Sequence, residues 1–235
     1  MTITIHNRIP RDDVALGLVR IEGIEVGPAP QALADELELW IDHRGGGTLT
    51  DEEEAVRKGS RDMLRNGVYK PTGRGKPASE YLARAANEGN FPRINGPVDA
   101  NNLVSLKHCV PISVWDLDLA RTGEFEFRLG NAGERYVFNP TGQELDLQDL
   151  VCGCGLLPGE EPPSRPMVTP IKDSLATKLR PETTRLAGCL YYPLTVGSRE
   201  ALEQASAEFL RWLTLCGPRA SGTLALGLPH ETVEL

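Results

Sequence analysis

The chain has 235 residues, 40% of them hydrophobic and 25% charged, enough apolar matter to bury a sizeable core. Its net charge of −8 argues against a long footprint on a nucleic-acid backbone, which calls for a basic surface, yet leaves room for contact with a nucleic-acid end. No run reaches the roughly 18 apolar residues of a membrane span, the first residues lack the basic-then-apolar order of a signal peptide, and five cysteines, an odd number, fit a reducing cytoplasm.

Residues 14–21, VALGLVRI, are β-rich and weakly alternating, which predicts a strand that 24–26 continues after Gly23. In 31–44 the residues Leu33, Leu37, Trp40 and Ile41 share helical spacing, with Gly45 as the stop. The glycines 45–47 precede no Lys-Ser/Thr pair, so they read as a helix end rather than a phosphate loop. Thr50 and Glu53 form a capping box for a helix that runs to about residue 65. Residues 69–77 are a Pro/Gly loop, after which Ser79 caps a helix that ends at Gly89. Basic residues outnumber acidic ones from 57 to 93, which reads either as a solvated helix face with its loop or as a local anion-attracting patch.

Asp99 is the predicted N-cap of a short helix from Ala100 to about Lys107, and Pro111 closes that element. Residues 112–118, 124–129 and 134–138 read as successive short strands, and 142–154 as a further strand region. Residues 155–166 are a Pro-rich loop, and 167–179 is broken by Pro170. A buried strand follows within 184–193. Ser198 then opens the clearest helix, whose apolar stripe is Leu202, Ala205, Phe209, Trp212, Leu213 and Cys216, ended by Gly217-Pro218. Residues 223–228 are a last strand or docked tail. The mixture predicts an α+β class and a single domain over 1–235.

Two clusters invite chemistry. Asp116 and Asp118 alternate with Trp115 and Leu117, which places both carboxylates on one side of a strand. Cys152 and Cys154, with His108 elsewhere, suggest zinc, but structural zinc sites show two close pairs and this chain shows one, so no metal is expected.

The stretch 91–118 carries more information. Ile94-Asn95, Val98-Asp99, Asn102, Val104, Pro111 and Trp115-Asp116, in that order, resemble a hallmark of the B3/B4 editing module of phenylalanyl-tRNA synthetase beta subunits. Freestanding versions of the module are similar in two further places. Upstream, Ala78-Ser79-Glu80-Tyr81-Leu82 matches their helix start. Downstream, Lys172-Asp173-Ser174, Thr177-Lys178-Leu179 and Thr183-Thr184 match a second motif. The resemblance spans about 60–192, with the N-terminal strand and helix and the C-terminal helix packed on that core.

What the resemblance implies is an α+β fold with a β-sandwich core that receives the aminoacylated 3′ end of a tRNA and hydrolyses a mischarged ester. The module works without metal, cofactor or covalent nucleophile, by positioning the ester and a water. Arg93, Asn95, Ser113, Asp116, Cys152, Cys154, Lys172 and Thr177 become pocket candidates. Asp99 and Asn102 are assigned structural parts, the first as helix cap, the second bonding back to the loop before the helix. Ser113 stands where the synthetase has a His, so no catalytic residue is assigned. Three functions follow: a deacylase acting in trans on aminoacyl-tRNA, a noncatalytic tRNA or amino-acid binding module, or a pocket turned to a tRNA-free amino-acid derivative. None involves DNA or a membrane.

Overall fold

The computed structural model describes residues 2–235. The first half of the chain forms β1 (Thr4–Asn7), β2 (Val14–Glu22), α1 (Gln31–Gly45), α2 (Asp51–Asp62), α3 (Ala78–Asn87) and α4 (Gly96–His108). Then come β3 (Ile112–Asp116), α5 (Leu117–Ala120), β4 (Glu124–Leu129), β5 (Arg135–Val137), β6 (Glu144–Asp146), β7 (Val151–Leu156) and β8 (Ser164–Val168). The C-terminal part forms β9 (Arg185–Pro193), α6 (Arg199–Thr214), β10 (Ser221–Gly227) and β11 (Thr232–Glu234). No helix among the described residues is long and apolar enough to cross a membrane.

The strands build two principal sheets. One has the order β11-β1-β4-β7-β8 and the other β10-β2-β9-β3. All their pairings are antiparallel except β1 with β4. A first core lies between the sheets, where Leu16, Leu18, Cys189 and Tyr191 meet Phe125, Phe127 and Met167. A second core lies on the far face of the four-stranded sheet, where Val19, Ile21 and Leu190 meet Leu37, Leu103 and Phe209 of the helices. The result is sheet on sheet on helices, an α+β fold with a β-sandwich in it.

This layering explains why β2 and β9 alternate so weakly in sequence. Both are central strands of the middle layer and bury both faces. Gly17 and Gly188 let α6 lie directly on them. A Cβ at Gly17 would stand 2.2 Å from Ser206 Oγ, and one at Gly188 2.6 Å from Phe209 Cε1.

The capping box at Thr50 and Glu53 is present on both its bonds. Other boundaries differ from expectation. Helix α1 continues through Gly45 and stops at Gly46. Helix α3 starts at Ala78 after Pro77, and Ser79 is buried inside its first turn rather than capping it. Strand β3 stops at Asp116, whose Oδ1 accepts the Leu119 amide at 2.8 Å and so starts α5. Asp116 and Asp118 therefore do not share a strand face: Asp118 points outward and pairs with Arg185. Strands β1, β8 and β11 were not foreseen.

Candidate functional site

The stretch that opens α4 is held by its own small polar groups. Asn95 is extended (φ −165°, ψ 164°), and its Oδ1 accepts the Val98 amide at 3.0 Å, so it is the N-cap. Gly96 and Pro97 fill the first turn, where the missing proline N–H loses no helical bond. Asp99 is not the cap. It lies one turn on, and its carboxylate reaches back to accept the Ile94 amide at 2.9 Å. Asn102 does not bond to the preceding loop either; its Oδ1 accepts from Asn101 Nδ2 at 3.2 Å. Asn95→Ala is expected to cost about 1 kcal/mol in chemical denaturation, the usual value of an N-cap. An unchanged midpoint would show that the cap bond does not hold this loop.

Helix α4 is buried on nearly every side, so each of its polar side chains needs a partner. Asp99 has Ile94, Ser105 donates to the Val110 carbonyl at 2.6 Å, and Asn102 has Asn101. Asn101 Oδ1 accepts from nothing among the described residues.

The start of α4 forms one wall of a cavity of about 640 Å³. Ile112 and Val114 on the outer face of β3 form its apolar back, with Leu82 and Ile171 beside them. The segment 169–179 closes the opposite side with Thr169, Lys172 and Asp173. Lys172 and Lys178 stand at the rim. Lys172 Nζ lies 4.1 Å from the centre of the Phe138 ring, and Lys178 Nζ donates to the Phe138 carbonyl at 2.6 Å. Burial, helped by Arg74 and Lys178, lowers the Lys172 ammonium below the usual lysine range.

Asp173 is the most perturbed acid on this cavity. Its Oδ1 accepts from Ser113 Oγ at 2.7 Å and from the Thr169 amide at 3.2 Å. Those donors and the Val114 amide favour the charged form, but burial outweighs them and pushes the carboxyl up to about 7. A chain of hydroxyls fixes this floor. Tyr191 donates to Ser113 Oγ at 3.3 Å, and Tyr136 donates to the Lys172 carbonyl at 2.6 Å with its hydroxyl oxygen 3.1 Å from Thr169 Oγ1.

Of the sequence candidates, Asn95 and Lys172 line this cavity. Ser113 does not: it is buried behind the cavity and supports Asp173. Arg93 lies in an adjoining depression, paired with Glu38. Asp116 is spent on the Leu119 amide and the Thr183 hydroxyl. Thr177 lines a smaller cavity beside Arg180, its hydroxyl buried without a partner among the described residues. Cys152 and Cys154 are buried on the face of β7 turned away from the four-stranded sheet, opposite Arg128 and Glu126, where burial raises both thiols, and they line none of these cavities. Asn101 and Thr169 were not singled out in sequence, because an Asn inside a helix and a Thr before Pro170 carry no pattern of their own.

A groove of about 1040 Å³ adjoins the cavity and shares Lys172 with it. It runs between α2 and α3. Much of the basic excess of 57–93 is neutralised there: Glu80 binds Arg57 and Arg61, Asp62 binds Arg65, and Glu88 binds Arg84. Arg74 and Lys76 line the groove and pair with no carboxylate among the described residues.

Fold and site together describe an α+β domain in which a β-sandwich edge and the start of a buried helix enclose a polar-floored cavity beside a cationic groove. A family model described as B3/4 domain matches residues 68–187, and the chain belongs to that family. It is also similar to the phenylalanine–tRNA ligase beta subunit of Lactobacillus acidophilus, 28% identical over 134 residues. That match covers 56% of this chain and 16% of the ligase subunit.

Proposed function

We propose that the chain acts as one unit that binds the aminoacylated 3′ end of a tRNA and hydrolyses a mischarged ester in trans. The observation that carries this reading is the junction at Lys172 of a cavity sized for an aminoacyl group with a groove whose Arg74 and Lys76 are free for phosphates. The relationship to a tRNA ligase subunit supports it. In this reading Asp173, as carboxylate, takes a proton from a water that attacks the ester carbonyl. The ribose oxygen then leaves, recovering that proton from Asp173, and the products are a free amino acid and an intact tRNA end. Ser113 keeps the carboxyl in place and is not a nucleophile, since it is buried and already bonded to Asp173.

The test is a deacylation screen with correctly and wrongly charged tRNAs, ester loss being followed against a protein-free control. Selective loss of one amino acid is the expected result. Binding without turnover would leave a noncatalytic module. A tRNA-free substrate is favoured by one observation, the net charge of −8, and would show as indifference to tRNA with stabilisation by a small amino-acid derivative.

The groove makes a separate prediction. In the doubly substituted Arg74→Ala/Lys76→Ala chain, the slope of log binding constant against log salt for the tRNA end should become shallower by about 1.4, roughly 0.7 for each lost phosphate contact to a single strand. An unchanged slope would remove the groove from the path of the tRNA.

A further inference from the structure

We propose a second binding site, independent of what the first cavity holds: the cavity of about 500 Å³ walled by Arg135, Arg165 and Arg180 binds the phosphate of a small organic phosphate monoester. Segment 172–180 serves both cavities. It gives Lys172, Asp173 and Lys178 to the first, and 174–177 with Arg180 to this one. Three observations carry the proposal. The first is the sign of the charge. The chain has 33 acidic residues against 25 Lys and Arg, yet three arginines and no carboxylate line this cavity.

The second is that these charges are poorly neutralised. Arg165, on β8, is half-buried, and its guanidinium donates to one acceptor among the described residues, the Ala120 carbonyl, from Nη2 at 3.3 Å. Neither Arg165 nor Arg180 pairs with a carboxylate among the described residues. A half-buried charge without a counter-ion is costly, and an anion in the cavity removes that cost. Arg135 does pair with Glu144, at 3.4 Å, but both side chains are at least half exposed, so the pair is weak and readily exchanged for a phosphate. The third observation is that two of the arginines are held in place beforehand. Arg165 is tied to the last residue of α5, and Arg180 sits on a closed turn: its amide donates to Thr183 Oγ1 at 2.9 Å and its carbonyl accepts the Thr183 amide at 3.0 Å. Such preorganisation lowers the cost of binding. Guanidinium groups match phosphate oxygens in pairs, and three of them suit the nearly double charge of a monoester better than the single charge of a carboxylate. The cavity is larger than a bare phosphate. Val137, Pro166, Met167 and Leu175 leave an apolar wall for the organic body.

The experiment is calorimetry on the full chain with inorganic phosphate, phenyl phosphate, AMP and a trinucleotide that carries no terminal phosphate. At least one of the two monoesters should bind, and more tightly than inorganic phosphate because its body meets the apolar wall. Arg165→Gln/Arg180→Gln should weaken that binding tenfold or more. Should the double variant fail to fold, Arg180→Gln alone, at an exposed side chain, should still weaken it threefold or more. Binding of the trinucleotide in place of the monoesters, with the same dependence on the arginines, would keep the phosphate site and assign its phosphate to a nucleic-acid chain. Absence of binding by every probe would overturn the proposal. So would binding that the arginine variants leave unchanged, since the phosphate would then sit elsewhere. The deacylation screen reads the first cavity and stands or falls separately.

Discussion

Asp173→Asn is expected to abolish ester hydrolysis and, at the same time, to make the folded chain more stable at alkaline pH. The substitution is nearly isosteric and keeps an acceptor for Ser113 and for the Thr169 amide, so the floor of the cavity should survive it. What it removes is a proton-accepting group, which in general acid–base catalysis accounts for roughly 10²–10⁴ in rate. The stability effect follows from linkage. The carboxyl titrates at about 7 when folded, against 3.8 for an ordinary aspartic acid. Between those values the folded chain keeps a proton that the unfolded chain has lost, so stability falls as pH rises through that window and the loss is complete above 7. Below about pH 4 both states hold the proton and the variant gains nothing. Glu53 and Glu208, held at about 2 by their cationic partners, change only below the usual carboxylate range and do not disturb the comparison. The measurement is the melting temperature of both proteins at pH 5.5, 7.0 and 8.5. The gap should widen from pH 5.5 to 7.0 in favour of the variant and level off by pH 8.5. Parallel curves would mean that Asp173 does not titrate in this window, and the case for it as a base would go with them.

That carboxyl also shows where sequence reading stops. Asp173 was visible as part of a motif, but its titration depends on burial against β3 and on Ser113, sixty residues away. Local signals fared better. The capping box at Thr50, the stripe of α6 and the β-rich runs of β2 and β9 are each written within one short window. Strands β1 and β11 are not, because each is short and pairs with a partner distant in sequence: Ile5 lies against Phe125 on one side and Val233 on the other. The cysteines illustrate a different gap. Alternation puts Cys152 and Cys154 on one face of β7, but only the register of the assembled sheet, which sets them opposite Arg128 and Glu126 and sets Gly153 and Gly155 opposite Phe127 and Phe125, decides that this is the face turned away from the sandwich interior. Asp99 went astray for a similar reason. A helix start rich in Asn and Asp offers several caps, and the extended backbone at Asn95 selects one of them.

The second large effect is expected in that interior. Phe127 is fully buried, with its ring 6.4 Å from Trp115 and 5.9 Å from Tyr191, centre to centre. It is the side chain of the five-stranded sheet that meets both Trp115 and Tyr191 of the four-stranded one. Phe127→Ala removes the ring and leaves a cavity between two sheets that cannot close on it, since β4 is paired to β1 and β7 on both edges. The expected cost is roughly 3–5 kcal/mol, and for a chain of this length each kcal/mol lowers the melting temperature by about 2–4 °C. Phe127→Leu should cost distinctly less, because it refills most of the volume. The damage should also reach the candidate site. Tyr191 packs on Phe127 with its ring and holds Ser113 with its hydroxyl, and Ser113 holds Asp173. A chain weakened at Phe127 but still folded should therefore lose ligand affinity at the cavity, although no atom of Phe127 lines it. Denaturant titration and calorimetry on the two variants separate the effects. A loss below 1 kcal/mol for Phe127→Ala would mean that the sheets are not held together through this ring.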